Sequence, residues 1–139
     1  MRVIFTDIDG VLNPHWKTKW SKNSISIYNK ICKEFDLKPV ITSTWRTNHT
    51  IEQLQDIFTK QGIETPIYDY TPHIDQEDRG VEIKQWLSKN PEIKQWVIID
   101  DKTSDIEPYL TNVVKCRSWI GLTIDEYEEI KTIIYKMVV

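Results

Sequence analysis

Residues 1–14, MRVIFTDIDGVLNP, carry an apolar run from Arg2 to Thr6 straight into two aspartates one residue apart, with Gly10 behind them. A β-branched and aromatic run of this length reads as a short buried strand. Asp7 and Asp9 then fall at its carboxyl end, where an extended chain would turn both carboxylates to one side. Two acids held together at a buried strand end repel each other unless something compensates. The rest of the chain has to supply that compensation.

Outward from this stretch, strand-like and helical patterns alternate. Ile25, Tyr28, Ile31, Cys32 and Phe35 recur at helical spacing behind Asn23 or Ser24 as candidate caps. Pro39 to Thr42 reads as a second strand, and Ile51, Leu54, Ile57 and Phe58 as a second helix closed by Gly62. Pro66 to Tyr68 supplies a short third strand before a polar loop, and Val81 to Leu87 a helix stopped at Asn90 and Pro91. Trp96 to Ile99 and Asn112 to Cys116 complete five strands, and a last amphipathic helix follows Thr123 with Asp125 and Glu126 in its first turn. This alternation predicts an α/β fold: a doubly wound, Rossmann-like, five-stranded parallel sheet with helices on both faces. Ligands of such sheets bind beyond the carboxyl ends of the strands, where the winding reverses.

Composition narrows the function classes. The 139 residues, 40% of them hydrophobic, can bury one good core, so residues 1–139 are expected to form a single domain. A net charge of -3 lacks the overall basic footprint of a protein that coats nucleic acid, while leaving room for a local basic site. Cys32 and Cys116 lack CxxC spacing, so neither a disulfide framework nor a zinc site is expected. No signal-peptide pattern or membrane-length apolar stretch is present, and a cytoplasmic, reducing location without membrane association is the expectation.

Three strand ends share one chemistry: TDIDG (6–10), TSTWR (42–46) and DDKTSD (100–105). Carboxylates converging on one rim call for a divalent cation, and Mg²⁺ fits an all-oxygen set completed by water and a substrate phosphate. A carboxylate there can attack phosphorus and form an aspartyl phosphate, and a second carboxyl group can shuttle the proton. Thr42 and Ser43, with a basic side chain, would bind phosphoryl oxygens, and Gly10 would let the chain turn away to leave room for phosphate.

In these motifs the sequence resembles the haloacid dehalogenase (HAD) superfamily of phosphohydrolases. DIDGVL matches the first motif at Asp7, Asp9, Gly10 and Leu12; VITS matches the second at Thr42 or Ser43; VIIDDKTSD matches the fourth at Asp100, Asp101 and Asp105. The resemblance implies Asp7 as nucleophile and Asp9 as acid/base. It also implies a Mg²⁺ held by Asp7, the Asp9 backbone carbonyl and Asp101, with Asp100 or Asp105 assisting. The basic residue of the third motif aligns with Arg79, against which Lys84 and Lys102 compete. No large module is inserted between the motifs, which resembles the capless class, whose open cleft admits large substrates or is covered by a second copy or a protein partner.

TSTWR, RGVEIKQWL and IGLT add a similarity to HAD domains related to nucleic-acid end repair, implying Trp45 and Arg46 beside the phosphate. His15, Trp16 and Trp20, interleaved with Lys17 and Lys19, are candidate substrate contacts able to stack a base, with core packing as the alternative for the tryptophans. The expected function is a phosphomonoesterase acting on a nucleotide or nucleic-acid terminal phosphate. A phosphatase of other metabolites or phosphoprotein is the alternative, ahead of a non-catalytic phosphate-binding module.

Overall fold

The computed structural model describes residues 1–138. Five strands, β1 (Arg2–Thr6), β2 (Leu37–Ile41), β3 (Asp69–Tyr70), β4 (Gln95–Asp100) and β5 (Val113–Lys115), form one sheet in the order β3-β2-β1-β4-β5. Every neighbouring pair is parallel. The helices are α1 (Lys22–Glu34), α2 (Ile51–Gln61), α3 (Arg79–Lys89) and α4 (Ile124–Met137), with a 3-10 turn at Thr44–Thr47. The chain winds outward through β2 and β3, then returns across the sheet to β4, so the reversal lies between β1 and β4. The α/β, Rossmann-like prediction therefore holds, and no cap module interrupts the connections among the described residues.

Side-chain alternation divides the core by sheet face. Ile4, Ile41, Val97 and Ile99 pack with Tyr28 and Ile31 of α1, Leu54 and Phe58 of α2, and Ile130 and Ile134 of α4. Val3, Phe5, Val40 and Ile98 turn the other way, against Ile83 and Trp86 of α3 and Ile106. The Trp86 ring meets Phe5 edge-on at 5.4 Å, a favoured aromatic geometry. No described helix is long and apolar enough to cross a membrane.

Element boundaries differ from the sequence reading where side chains compete for backbone groups. The α1 cap is Ser21, whose hydroxyl accepts from the Ser24 amide, not Asn23 or Ser24. Ser24 is instead buried and donates its own hydroxyl to Leu122 O at 3.0 Å. The third strand lies at residues 69–70 rather than 66–68, because Pro66 has no N–H to donate to a ladder. Pro39 sits inside β2, and its carbonyl accepts from Tyr68 N on the flank where β3 has not yet begun to pair. The missing N–H of Pro39 faces that same open flank, which is why a central strand tolerates it.

Arg46, expected beside the substrate, is a buried strut instead. Its Nε donates to Thr71 O at 2.8 Å, Nη1 to Thr42 O and Ser43 O, and Nη2 to Pro72 O, and Nη2 also pairs with Glu82 at 2.8 Å. With its donors used and its residue 7% exposed, the guanidinium ties β2, the 71–72 segment and α3 together rather than meeting a ligand. Glu82 also accepts from Ile74 N at 2.9 Å. Removing either partner takes the opposing charge from a buried ion, so Arg46→Ala and Glu82→Ala should each cost about 3–5 kcal/mol in urea unfolding. The double variant should lose clearly less than the sum, and strict additivity would rule out the strut.

Candidate active site

β1 delivers Asp7 to the sheet edge, where its amide donates to Ile99 O at 3.2 Å. Following Phe5 by two, Asp7 points to the α3 side of the sheet. The chain then folds back in a tight turn, with the amides of Val11, Leu12 and Asn13 all donating to Ile8 O. Ile8, Val11 and Leu12 are fully buried and hold this turn in place. Asp9 therefore reaches the cleft through the turn, not through strand alternation as the sequence reading supposed. Trp45 Nε1 donates to Asp9 Oδ2 at 3.1 Å and fixes the orientation of that carboxylate.

A cleft of about 300 Å³ opens here, lined by Asp7, Asp9, Trp16, Thr44, Arg79, Asp100, Asp101, Lys102 and Asp105. Carboxylate oxygens of Asp7, Asp100 and Asp101 lie within 4.8 Å of one another, and all three residues are buried. Arg79, at the start of α3, sets Nη1 2.6 Å from Asp100 Oδ2 and 3.4 Å from Asp7 Oδ1. Asp105 does not join the three-carboxylate group: its Oδ2 accepts from Arg79 N at 3.1 Å and satisfies the first turn of α3. Asp100 Oδ1 accepts from Lys102 N, and Asp101 Oδ2 from Ser118 Oγ at 2.8 Å.

The electrostatics follow from burial. Burial first, then repulsion from Asp100, drives the Asp7 carboxyl well above its ordinary pKa, with Arg79 opposing. Asp100 is likewise raised by burial, again opposed by Arg79. For Arg79 burial disfavours the charge, but Asp100 and Asp7 outweigh it and hold the guanidinium protonated above its usual range. One arginine thus faces three clustered acids, and their hard oxygen donors fit a small divalent cation such as Mg²⁺.

The remaining predicted residues divide between the cleft and the structure around it. Gly10, at φ +81°, makes room for a protein group: a Cβ there would sit 2.2 Å from Asp101 Oδ2. Ser43 Oγ accepts from Trp45 N and starts the 3-10 turn. Thr42 is buried, its hydroxyl without a partner, one register step beyond the Thr6–Ile41 pair and so level with Asp7. Trp20 is only 5% exposed and edge-on to Trp45 and Phe58, so it packs as part of the core. His15 is exposed and its Nε2 lies 3.0 Å from Trp119 O. Lys84 is exposed on α3 outside the cleft wall, whereas Arg79 and Lys102 both belong to it.

Thr44, Ser118 and Trp119 escaped the sequence reading. In TSTWR the three hydroxyl residues are indistinguishable by pattern, and only the 3-10 turn sends Thr44 to the cleft. Ser118 and Trp119 lie in a loop after β5, where no periodicity marks them.

Residues 3–127 match the family described as the HAD domain in Swiss Army Knife RNA repair proteins. Among solved structures, the chain is similar to a haloacid dehalogenase-like family hydrolase from Streptococcus pneumoniae. The two are 14% identical with a TM-score of 0.49, over 80% of this chain and 52% of that one. The chain thus spans about half the length of that structure. No protein of curated description matches it. With the DIDG turn, the aspartate pair at the end of β4 and the basic residue at the head of α3 on one cleft, the chain belongs to the HAD-domain family of Swiss Army Knife RNA repair proteins.

Proposed function

We propose that this HAD-family hydrolase domain is a Mg²⁺-dependent phosphomonoesterase that works through an aspartyl phosphate on Asp7 and removes a terminal phosphate from a nucleotide or nucleic acid. The observation that carries this reading is the packing of Asp7, Asp100 and Asp101 against Arg79, with Asp9 on the same cleft. The family's description, which names RNA repair proteins, supports the nucleic-acid end as substrate.

In this mechanism Asp7 attacks phosphorus as the bond to the leaving oxygen breaks. Asp9 gives that oxygen its proton. Asp9 then takes a proton from the water that attacks the aspartyl phosphate, and inorganic phosphate leaves with Asp7 restored. The Trp45 bond to Asp9 Oδ2 leaves Oδ1 as the oxygen for proton transfer. Arg79 neutralises Asp7 and the arriving phosphate, and the unpartnered Thr42 hydroxyl, with Thr44, is suited to phosphoryl oxygens. Asp7, Asp100 and Asp101 would hold Mg²⁺, which when bound supplies positive charge against the phosphoryl oxygens. A cation held by Asp7, Asp100 and Asp101 would offset their mutual repulsion and favour the ionised, nucleophilic form of Asp7.

Asp7→Asn should abolish Mg²⁺-dependent turnover of an aryl phosphate while melting, in EDTA, no lower than wild type, because it relieves buried repulsion. Retained turnover in that variant would refute the nucleophile. Added Mg²⁺ should stabilise the wild-type chain by about 2.7 kcal/mol at a hundred times its Kd, with a clearly smaller gain in Asp7→Asn, read by thermal shift. Asp9→Asn should slow turnover about 10²–10⁴-fold. An unchanged rate would take Asp9 out of the proton shuttle.

A further inference from the structure

Resting on that reading of the cleft, we propose that Trp16 and Trp119 form a stacking platform for the nucleobase beside the phosphate that is removed, which makes a single-stranded nucleic-acid end the substrate class. Trp20 and Trp86 are 5% and 3% exposed, as large aromatic rings in a folded core usually are. Trp16 and Trp119 are 51% and 68% exposed, yet their rings lie 5.2 Å apart at 59°. Trp16 also lines the catalytic cleft. Two indoles left in solvent together, at the mouth of a phosphate site, offer a π-surface where the nucleoside next to that phosphate would lie.

The pair is held, not floppy. Asn13 grips the Trp16 loop from both sides, its Nδ2 donating to Lys17 O at 2.9 Å and its Oδ1 accepting from Lys17 N at 3.0 Å. Trp16 itself stands at φ +50°, a left-handed conformation that a bulky residue adopts at a cost the surroundings must offset. The second loop is anchored by Leu122 N to Val11 O at 2.9 Å, and by Ser118 Oγ to Asp101. The contact between His15 Nε2 and Trp119 O joins the two loops. Gly121 lets them close: a Cβ there would lie 2.6 Å from Val11 O. Rings fixed in this way lose little freedom when a ligand arrives.

Charge favours the same occupant. Lys17, Lys19 and Lys102 are exposed and enter no salt bridge among the described residues. In a chain of net charge -3, an unpaired lysine on the cleft wall and two more in the loop that carries Trp16 suit a polyanion. A nucleic-acid end brings both a phosphate for the cleft and a flat base for the indoles.

The test is a binding cycle in Asp7→Asn protein with Mg²⁺, using a short single-stranded oligonucleotide with a terminal phosphate and the same strand lacking its terminal base. Trp119→Ala should weaken the intact strand about tenfold or more, and the abasic strand less than about twofold. Trp119→Phe should recover most of the loss, because a phenyl ring keeps a π-face. Equal losses for both strands, or none, would overturn the platform. So would a Trp119→Ala variant that abolishes self-association in sedimentation but binds the oligonucleotide as before. Aryl phosphate turnover by the wild-type chain tests the hydrolase reading separately. Turnover without coupling in the cycle removes the platform alone; coupling without turnover keeps the platform and removes the phosphatase.

Discussion

Three carboxylates confined to one end of a parallel sheet, with one guanidinium among them, are the constraint around which the molecule is arranged. Asp7, Asp100 and Asp101 repel one another at the buried floor of a cleft, where water screens them only in part. Arg79 relieves part of that cost by bonding to Asp100 and approaching Asp7. The orientation of α3 follows from this, because its first residue must reach across the strand ends. Asp105 accepts the Arg79 amide, and Gly80 lets the helix start lie against the 105–106 backbone, where a Cβ would come 2.9 Å from Asp105 O.

The same economy of space governs the DIDG turn. Gly10 is needed because Asp101 occupies the volume a side chain would take. The first and fourth motifs are thus packed into each other, and the acids converge because β1 and β4 are hydrogen-bonded neighbours, with Asp7 N donating to Ile99 O. On the far side, the 3-10 turn after β2 brings Trp45 to Asp9 while Arg46, one residue on, is buried against Glu82. Adjacent residues in one short turn serve the cleft and the scaffold respectively.

A rim that concentrates negative charge is poorly suited to an anion until cations gather on it. Arg79 and Lys102 stand on the wall with Trp16, and the exposed Lys17 and Lys19 follow Trp16 in its loop. The site therefore grades from buried acids, through cations, to an aromatic surface in solvent. That gradient matches a ligand whose phosphate is carried on a larger, flat-faced body.

Much of the fold was legible in the sequence, because hydrophobic periodicity reports burial directly: five strands and four helices in alternation allow few topologies once crossovers are right-handed. The motifs were legible for a related reason, since acids at the ends of apolar runs have no structural purpose in a core. Patterning could not decide the destination of polar and aromatic residues in irregular segments. Arg46 looked like a ligand contact and proved to be a strut, spacing left Trp20 open between stacking and core packing until the fold buried it, and Thr44, Ser118 and Trp119 carried no periodic mark. Residue type and order determined the sheet, its winding and the gathering of acids at its strand ends. Which side chains share the cleft, and which are buried behind it, was decided only when tertiary packing brought residues 16 and 119, and 10 and 101, into contact, because such long-range proximity leaves no trace in local spacing.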